Sequence, residues 1–235
     1  MSGKNILIAG TGSLGRSLSY NLLLNHNHVV INSRNNEKLK QIVSEYSIYG
    51  KIDYIAKELN DEKSCEALIE ESIYSLKSLN ALVIMVGGFI EDNIEDLKGL
   101  DQMLLNHLKI PLYLAKYAVK HMEYGSSIIF ISNSSVSTKN KTHLLSYTIS
   151  KSALEKAAKI MASELLNRGI RVNVVAPEYI KQCFEIGRDY SKMRKYGDLE
   201  TPPEDISNVI TYLIDGNSSW INGAVIPVDG GHSLK

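Results

Sequence analysis

The chain predicts an α/β protein built on a doubly wound, seven-stranded parallel sheet. Three observations carry that prediction. Short β-rich apolar runs alternate with longer segments of helical periodicity along all 235 residues. The runs are apolar almost throughout, as strands of a parallel sheet must be when helices cover both faces. The first run leads directly into a glycine-rich turn and an amphipathic helix.

Taken in order, the predicted strands are "NILIA" (5–9), "HVVINS" (28–33), "KIDYIA" (51–56), "ALVIMV" (81–86), "SSIIFIS" (126–132), "IRVNVVA" (170–176) and "AVIPV" (224–228). Between them, Leu68, Ile69, Ile73 and Leu76 share helical spacing, as do Met103, Leu104, Leu108, Leu112 and Ala115. "SYTISKSALEKAAK", from 146, opens an Ala-rich helix whose side bearing Ala153, Ala157 and Met161 is expected to pack on the sheet or on a partner. No repeat or linker interrupts the chain, so residues 1–235 are expected to form a single domain. One polar, charged and weakly periodic stretch, 178–200, follows a late strand and is expected to be a substrate lid near the ligand-binding ends of the strands.

Composition excludes several classes. The 26 basic and 26 acidic residues balance to zero net charge, so no broad field draws the chain to nucleic acid or to an anionic membrane. No apolar run approaches the ~18 residues of a membrane span, and the N-terminal apolar stretch is too short for a secretory signal, which makes a cytoplasmic location the expectation. Cys65 and Cys183 stand far apart and outside any Cys/His cluster, so two reduced thiols are expected, with no disulfide framework and no metal site.

The turn "AGTGSLGRS" places Gly10, Gly12 and Gly15 between the first strand and its helix, with Ser13 and Leu14 inside the motif. Glycines there let a pyrophosphate approach backbone N–H groups at a positively polarised helix N-terminus, which predicts a nucleotide site in a Rossmann fold. After the second strand the chain reads Asn32, Ser33, Arg34, without the carboxylate that holds a free ribose 2′-hydroxyl. Arg34 can instead pair with a 2′-phosphate and Ser33 can add a hydroxyl donor, so NADP(H) is favoured over NAD(H).

Tyr147 and Lys151 stand four apart, a pair that chance supplies easily in a chain with 13 tyrosines. Their context makes them informative, because the whole chain from Lys4 onward resembles the short-chain dehydrogenase/reductase family. "KELNDEKS" resembles the family's adenine-contact segment, with Glu58 at its acidic position and Leu59 beside it. "LLNHLKIPLYLAKYAVKHM" resembles the helix that carries the active-site Asn, here Asn106. "GSSIIFISNSSVS" resembles the strand that delivers the catalytic Ser, and "RGIRVNVVAPEYI" the strand ending in Pro-Gly. "TPPEDISNVITYLIDGNSSWINGAVIPVDGG" resembles the final helix and strand.

The resemblance implies hydride transfer between a nicotinamide and a carbonyl carbon, with Tyr147 moving the proton. Lys151 would favour the phenolate and hold the ribose, and Asn106 would support a water-linked proton path. Gly87, Pro177 and Ile180 complete the implied cofactor wall. A serine would donate to the carbonyl oxygen. Counting back from Tyr147 by the family's usual spacing selects Ser134, with Ser135 next; counting from the strand end lands on Ser132 and Asn133. His107 and His143 are read as surface or pocket-wall residues.

Departures are visible. The family's glycine turn would put Gly at Ala9 and Ser13, and its Asn-Asn-Ala-Gly falls on Ile84, Met85, Val86 and Gly87. Glu178 replaces the Gly after Pro177, and Gln182 is nearest to the Thr that usually meets the cofactor amide. The expected activity is NADPH-dependent reduction of a small-molecule ketone. A carrier- or CoA-linked 3-oxoacyl thioester comes first because Arg188, Lys192, Arg194 and Lys195 sit in the expected lid. A sugar or secondary-metabolite ketone is the runner-up, and a non-catalytic NADP-binding regulatory protein is the alternative class. The family implies a homo-oligomer, dimer or tetramer.

Overall fold

The computed structural model describes residues 3–136 and 138–235. Its elements follow as β1 (Asn5–Ala9), α1 (Ser13–Leu24), β2 (His28–Ser33), α2 (Asn36–Tyr46), β3 (Ile52–Ala56), α3 (Glu62–Leu76), β4 (Ala81–Ile84) and α4 (Leu100–Leu104). There follow α5 (Ile110–Ala118), β5 (Ser127–Ile131), α6 (Leu145–Glu164), β6 (Arg171–Ala176), β7 (Tyr179–Ile180), β8 (Glu200–Thr201), α7 (Pro203–Ile214) and β9 (Val225–Pro227). A π-helical turn, Leu105–Lys109, joins α4 to α5.

Seven strands form one sheet in the order β3, β2, β1, β4, β5, β6, β9, every pair parallel. The chain winds outward from β1 to β3, then restarts at β4 on the other side of β1. That reversal opens a crevice over the carboxyl ends of β1 and β4, the general ligand position in such sheets. Alternate residues of each strand feed two cores. Leu7, Val30, Leu82, Ile128, Phe130 and Val172 pack under α3, α5 and α6. Ile6, Ile8, Val29, Ile31, Val83 and Ile129 pack under α1, α2 and α7. Two-sided burial is why the strands read as unbroken apolar runs.

The fourth strand stops at Ile84, two residues before the predicted end of its apolar run. The Met85 N–H still donates to Ala9 O at 2.8 Å, but Gly10 then turns toward β2, donating to Asn32 O at 3.0 Å, and leaves Val86 no edge to pair with. On α6 the core-facing residues are Leu154, Ala158 and Ala162, one position on from the expected Ala153, Ala157 and Met161.

The stretch 178–200 is closed at its base by β7 and β8, with Tyr179 opposite Glu200 and Ile180 opposite Thr201. Its body is fastened to the helices behind it. The Phe184 ring lies 6.1 Å from that of Tyr20 on α1, Arg188 donates to both carboxylate oxygens of Glu204 at 2.6 and 2.8 Å, and Arg194 pairs with Asp205.

Leu18, fully buried on α1 against the second core, tests this account: Leu18→Ala should cost about 2–5 kcal/mol in urea unfolding. Tyr74→Ala, on a side chain 82% exposed, should stay within about 0.5 kcal/mol.

Candidate active site

Two cavities meet over the switch point, sharing Met85, Val86 and Gly87. The first, of about 570 Å³, runs from the Gly10–Gly12 turn past Ser33, Arg34, Lys38, Lys57, Glu58 and Leu59 to Asn106. Gly10 has φ +129°, and a Cβ there would lie 2.9 Å from Met85 Cβ. A Cβ on Gly15 would fall 2.3 Å from Gly10 O, so this glycine lets α1 sit directly against the turn. A Cβ on Gly12 would meet nothing within 4 Å, so the backbone before α1 faces open space. The first turn of α1 has neither an acidic residue nor a side-chain cap, and the buried Ser13 hydroxyl has no partner. Leu14 is buried in the second core and offers only its backbone. An uncapped helix start, an orphan hydroxyl and an open glycine backbone fit a dinucleotide pyrophosphate.

At the far end Ser33 Oγ accepts from Asn35 N at 3.2 Å, which leaves its own hydrogen available. Arg34, 80% exposed, stands 3.6 Å from Glu58, an exposed pair worth little energetically that leaves the guanidinium free to take a stronger anion. Lys38 adds an ammonium to the same wall. Asn32 does not face the cavity chemistry, because its amide donates to Ile55 O and Lys57 O, both at 3.0 Å, and ties β2 to β3.

The second cavity, of about 430 Å³, holds Tyr147 and Lys151 in its wall, with Pro177, Ile180 and Gln182. Tyr147 lies in the first turn of α6 and its ring meets Phe89 and His107 edge-on, at centroid distances of 5.4 and 5.3 Å. Burial, then the nearby Glu178 charge, pushes the phenol above its ordinary range, so Tyr147 is protonated at neutral pH. Lys151, 5% exposed, donates to Ile131 O at 2.7 Å. Burial pulls its pKa down to about 7, against the opposing pull of Glu155.

Among the described residues after β5, Ser132, Ser134 and Ser135 are each engaged. Ser132 Oγ donates to Glu155 Oε1 at 2.6 Å, Ser134 Oγ to Glu178 Oε2 at 3.0 Å, and Ser135 Oγ to Asn133 Oδ1 at 2.6 Å. Ser134 does not line the catalytic cavity, whereas Ser132, Asn133 and Ser135 do. Glu178, with its side chain fully buried, also pairs with Lys141. The carboxylate that stands in place of a glycine therefore draws Ser134 away from Tyr147.

The π-helical turn explains how the apolar 84–86 segment is supported. Asn106 Nδ2 donates to Gly87 O at 3.0 Å, and His107 Nε2 donates to Gly88 O at 2.9 Å. Two adjacent side chains thus clamp two successive carbonyls, and a Cβ on Gly88 would lie 2.9 Å from Asn106 Nδ2. The Nε2 bond sets the tautomer of His107, whose Nδ1 is buried without a partner. Burial, then the Lys151 charge, lowers its pKa to about 3. His143, in contrast, is exposed.

Beyond Phe89 the same segment reaches Asp92, 2% exposed. Its carboxylate accepts from Ser146 N at 2.9 Å, from Ser146 Oγ and from Gly99 N at 3.1 Å. Leu144, at the start of α6, provides no side-chain cap, so Asp92 caps α6 from a distant strand-to-helix loop. Burial alone would raise its pKa, but the bonds from Ser146 and Gly99 hold it below the usual carboxylate range. Sequence reasoning missed this residue; the available signal was a strong helix lacking a polar residue at its start.

Among the described residues no group of His, Cys, Asp and Glu could hold a metal ion, and no helix is long and apolar enough to cross a membrane. Cys65 is buried and Cys183 exposed, both as free thiols.

Comparison with known proteins places the chain among relatives of one kind. Residues 8–233 match the family model described as enoyl-(acyl carrier protein) reductase. A 3-oxoacyl-acyl-carrier-protein reductase of Rickettsia bellii is 31% identical over 98% of this chain and 97% of its own length. Glucose 1-dehydrogenase of Gluconobacter oxydans is 29% identical over 99% of this chain and 93% of its own length. Among solved structures, a short-chain dehydrogenase/reductase of Serratia marcescens superposes with a TM-score of 0.88 at 24% identity, over 99% of this chain and 98% of that one. A short-chain dehydrogenase of Burkholderia cenocepacia in complex with NADP gives 0.87 at 19% identity, over 100% and 99%. At those identities the structural likeness speaks for the fold.

Asp92→Ala should destabilise the protein by about 1–2 kcal/mol in denaturant titration, the usual loss for a helix cap. His107 sets an acid-side dependence. Its folded pKa, about 3, lies below the unfolded value of about 6.5. Its contribution is therefore complete above pH about 6.5 and is lost as pH falls toward the folded pKa, by at most about 1.4 kcal/mol per pH unit. His107→Gln should flatten that slope in stability measured between pH 4 and 7.

Proposed function

This chain belongs to the short-chain dehydrogenase/reductase family, and from that premise we propose that it is an NADPH-dependent carbonyl reductase converting a ketone to a secondary alcohol. The observation that carries this reading is a protonated Tyr147 with the buried Lys151 ammonium 5.9 Å from its ring, in a cavity that shares Met85, Val86 and Gly87 with the one at the glycine turn. When bound, the reduced nicotinamide supplies a hydride to the carbonyl carbon. Tyr147 gives its proton to the carbonyl oxygen, and phenolate is left. Lys151 can carry a charge near neutrality and so favours that phenolate, while the bond to Ile131 O keeps its ammonium in place. Asn106 lines the cofactor cavity and supports the proton path behind Lys151, a role that rests on the family resemblance.

Ser33, Arg34 and Lys38, with no carboxylate at the end of β2, support NADP(H) over NAD(H). Gly10, Gly12, Ser13 and Gly15 would hold the pyrophosphate, and Gly87, Pro177 and Ile180 would border the nicotinamide. For the substrate we favour a 3-oxoacyl thioester, as the name of the Rickettsia relative suggests, with a sugar ketone second. Phe89, Val136, Leu144 and Ile180 give the cavity an apolar side for an acyl chain, with Lys139 and Lys141 among its lining residues. The basic residues of 178–200 are weaker support than composition suggested, because Arg188, Lys192 and Arg194 are paired with Glu204, Asp189 and Asp205. A second copy of this chain is the partner we favour, since Ile149 and Ile160 on α6 are 44% and 49% exposed.

Tyr147→Phe should lower kcat for acetoacetyl-N-acetylcysteamine by about 100-fold or more with NADPH binding intact; full activity of the variant would refute the reading. Arg34→Ala should weaken NADPH by about 10- to 100-fold in fluorescence titration, the worth of a charged hydrogen bond, with little change for NADH. Equal losses for both nucleotides would refute the 2′-phosphate role.

A further inference from the structure

We propose that Asn133, in place of a serine, is the side chain that donates a hydrogen bond to the substrate's carbonyl oxygen. This assignment rests on the carbonyl-reductase reading and adds to it the group opposite Tyr147.

The argument counts hydrogens. A serine hydroxyl has one, and in each of the three candidate serines it is spent: Ser132 on the Glu155 carboxylate, Ser134 on the Glu178 carboxylate and Ser135 on the Asn133 carbonyl. Two of those acceptors are carboxylates, stronger than any ketone oxygen. Asn133 differs, because its amide nitrogen carries two hydrogens. Its orientation is determined without ambiguity. The atom that accepts from Ser135 N at 2.9 Å faces a backbone N–H, which can only donate, so that atom is Oδ1. Nδ2 is then the atom that donates to Glu178 O at 2.6 Å. One hydrogen remains, and Asn133 shares the lining of one cavity with Tyr147.

The amide is 8% exposed and pinned through both of its atoms. It stands as a preorganised donor beside the proton donor, which is the arrangement that stabilises charge developing on oxygen. A ketone oxygen entering between them receives the Tyr147 O–H and the spare Asn133 N–H together. An amide N–H cannot pass its proton on, so Tyr147 is the sole proton source and Asn133 acts by electrostatics alone.

The test uses full-length protein, NADPH, and two probes, acetoacetyl-N-acetylcysteamine and 2,3-butanedione. Asn133→Ala should lower kcat by about 100- to 1000-fold while the melting temperature and NADPH affinity hold. Asn133→Ser, which restores a donor, should recover most of that loss. Ser134→Ala and Ser135→Ala should each lose less than about tenfold. A readout independent of turnover is the Asn133 side-chain NH2 resonance, identified as the one missing in Asn133→Asp, which should shift when the diketone is added to the NADP+-loaded protein. An Asn133→Ala variant with near-full kcat, a Ser135→Ala variant with the larger loss, or failure of Asn133→Ser to recover activity would overturn the assignment while leaving the reductase reading intact. Wild-type protein that reduces neither probe would overturn the reductase reading and this assignment with it.

Discussion

Two hydrogen bonds hold this site together. Asn106 and His107, neighbours in a π-helical turn, take the carbonyls of Gly87 and Gly88. The dipeptide they grip divides the two cavities, and the chain beyond it runs to Phe89 against the Tyr147 ring and to Asp92 at the head of α6. The position of the catalytic helix is thus referred back to a helix on the same side of the sheet, through one short loop. A π turn is a strained way to build a helix, and such turns recur where function repays the strain. Here it presents consecutive side chains to the consecutive carbonyls of Gly87 and Gly88.

The cavity also depends on buried charges that are paired before any ligand arrives. Glu178 is held by Lys141 and Ser134, and Glu155 accepts from Ser132. Each pair engages a serine hydroxyl of the loop after β5 before any substrate could meet it. Burial shifts both members of the Tyr147 and Lys151 couple toward their neutral forms. The phenol therefore keeps its proton at neutral pH, and a charge brought close to either group would shift that balance.

Much of this was legible in the amino-acid order. All seven sheet strands lie where the apolar runs stand, because each is buried on both faces and so carries its own signal. The glycine turn was readable for a similar reason, since strand, turn and helix are contiguous. What the sequence hid depends on contacts between distant residues. Ser134 and Glu178 are 44 positions apart, and Asp92 and Ser146 are 54. No local rule says that a carboxylate after Pro177 will take one serine and leave another. Spacing from Tyr147 favoured Ser134 with Ser135 next, spacing from the strand end landed on Ser132 and Asn133, and spacing carries no record of the different hydrogen-bond partners these four residues take. Likewise, composition marks 178–200 as polar but cannot tell that its arginines are matched by the carboxylates of α7.

That anchored stretch bears on traffic. A hinged cover would have to give up the Arg188 and Arg194 pairs and the Phe184 contact each time a molecule entered or left. The cheaper route is the rim at Phe89, Lys139 and Gln182, where rotation of individual side chains is enough. A frame fixed by these contacts leaves single side chains, and not the whole stretch, as the parts that can yield at low cost.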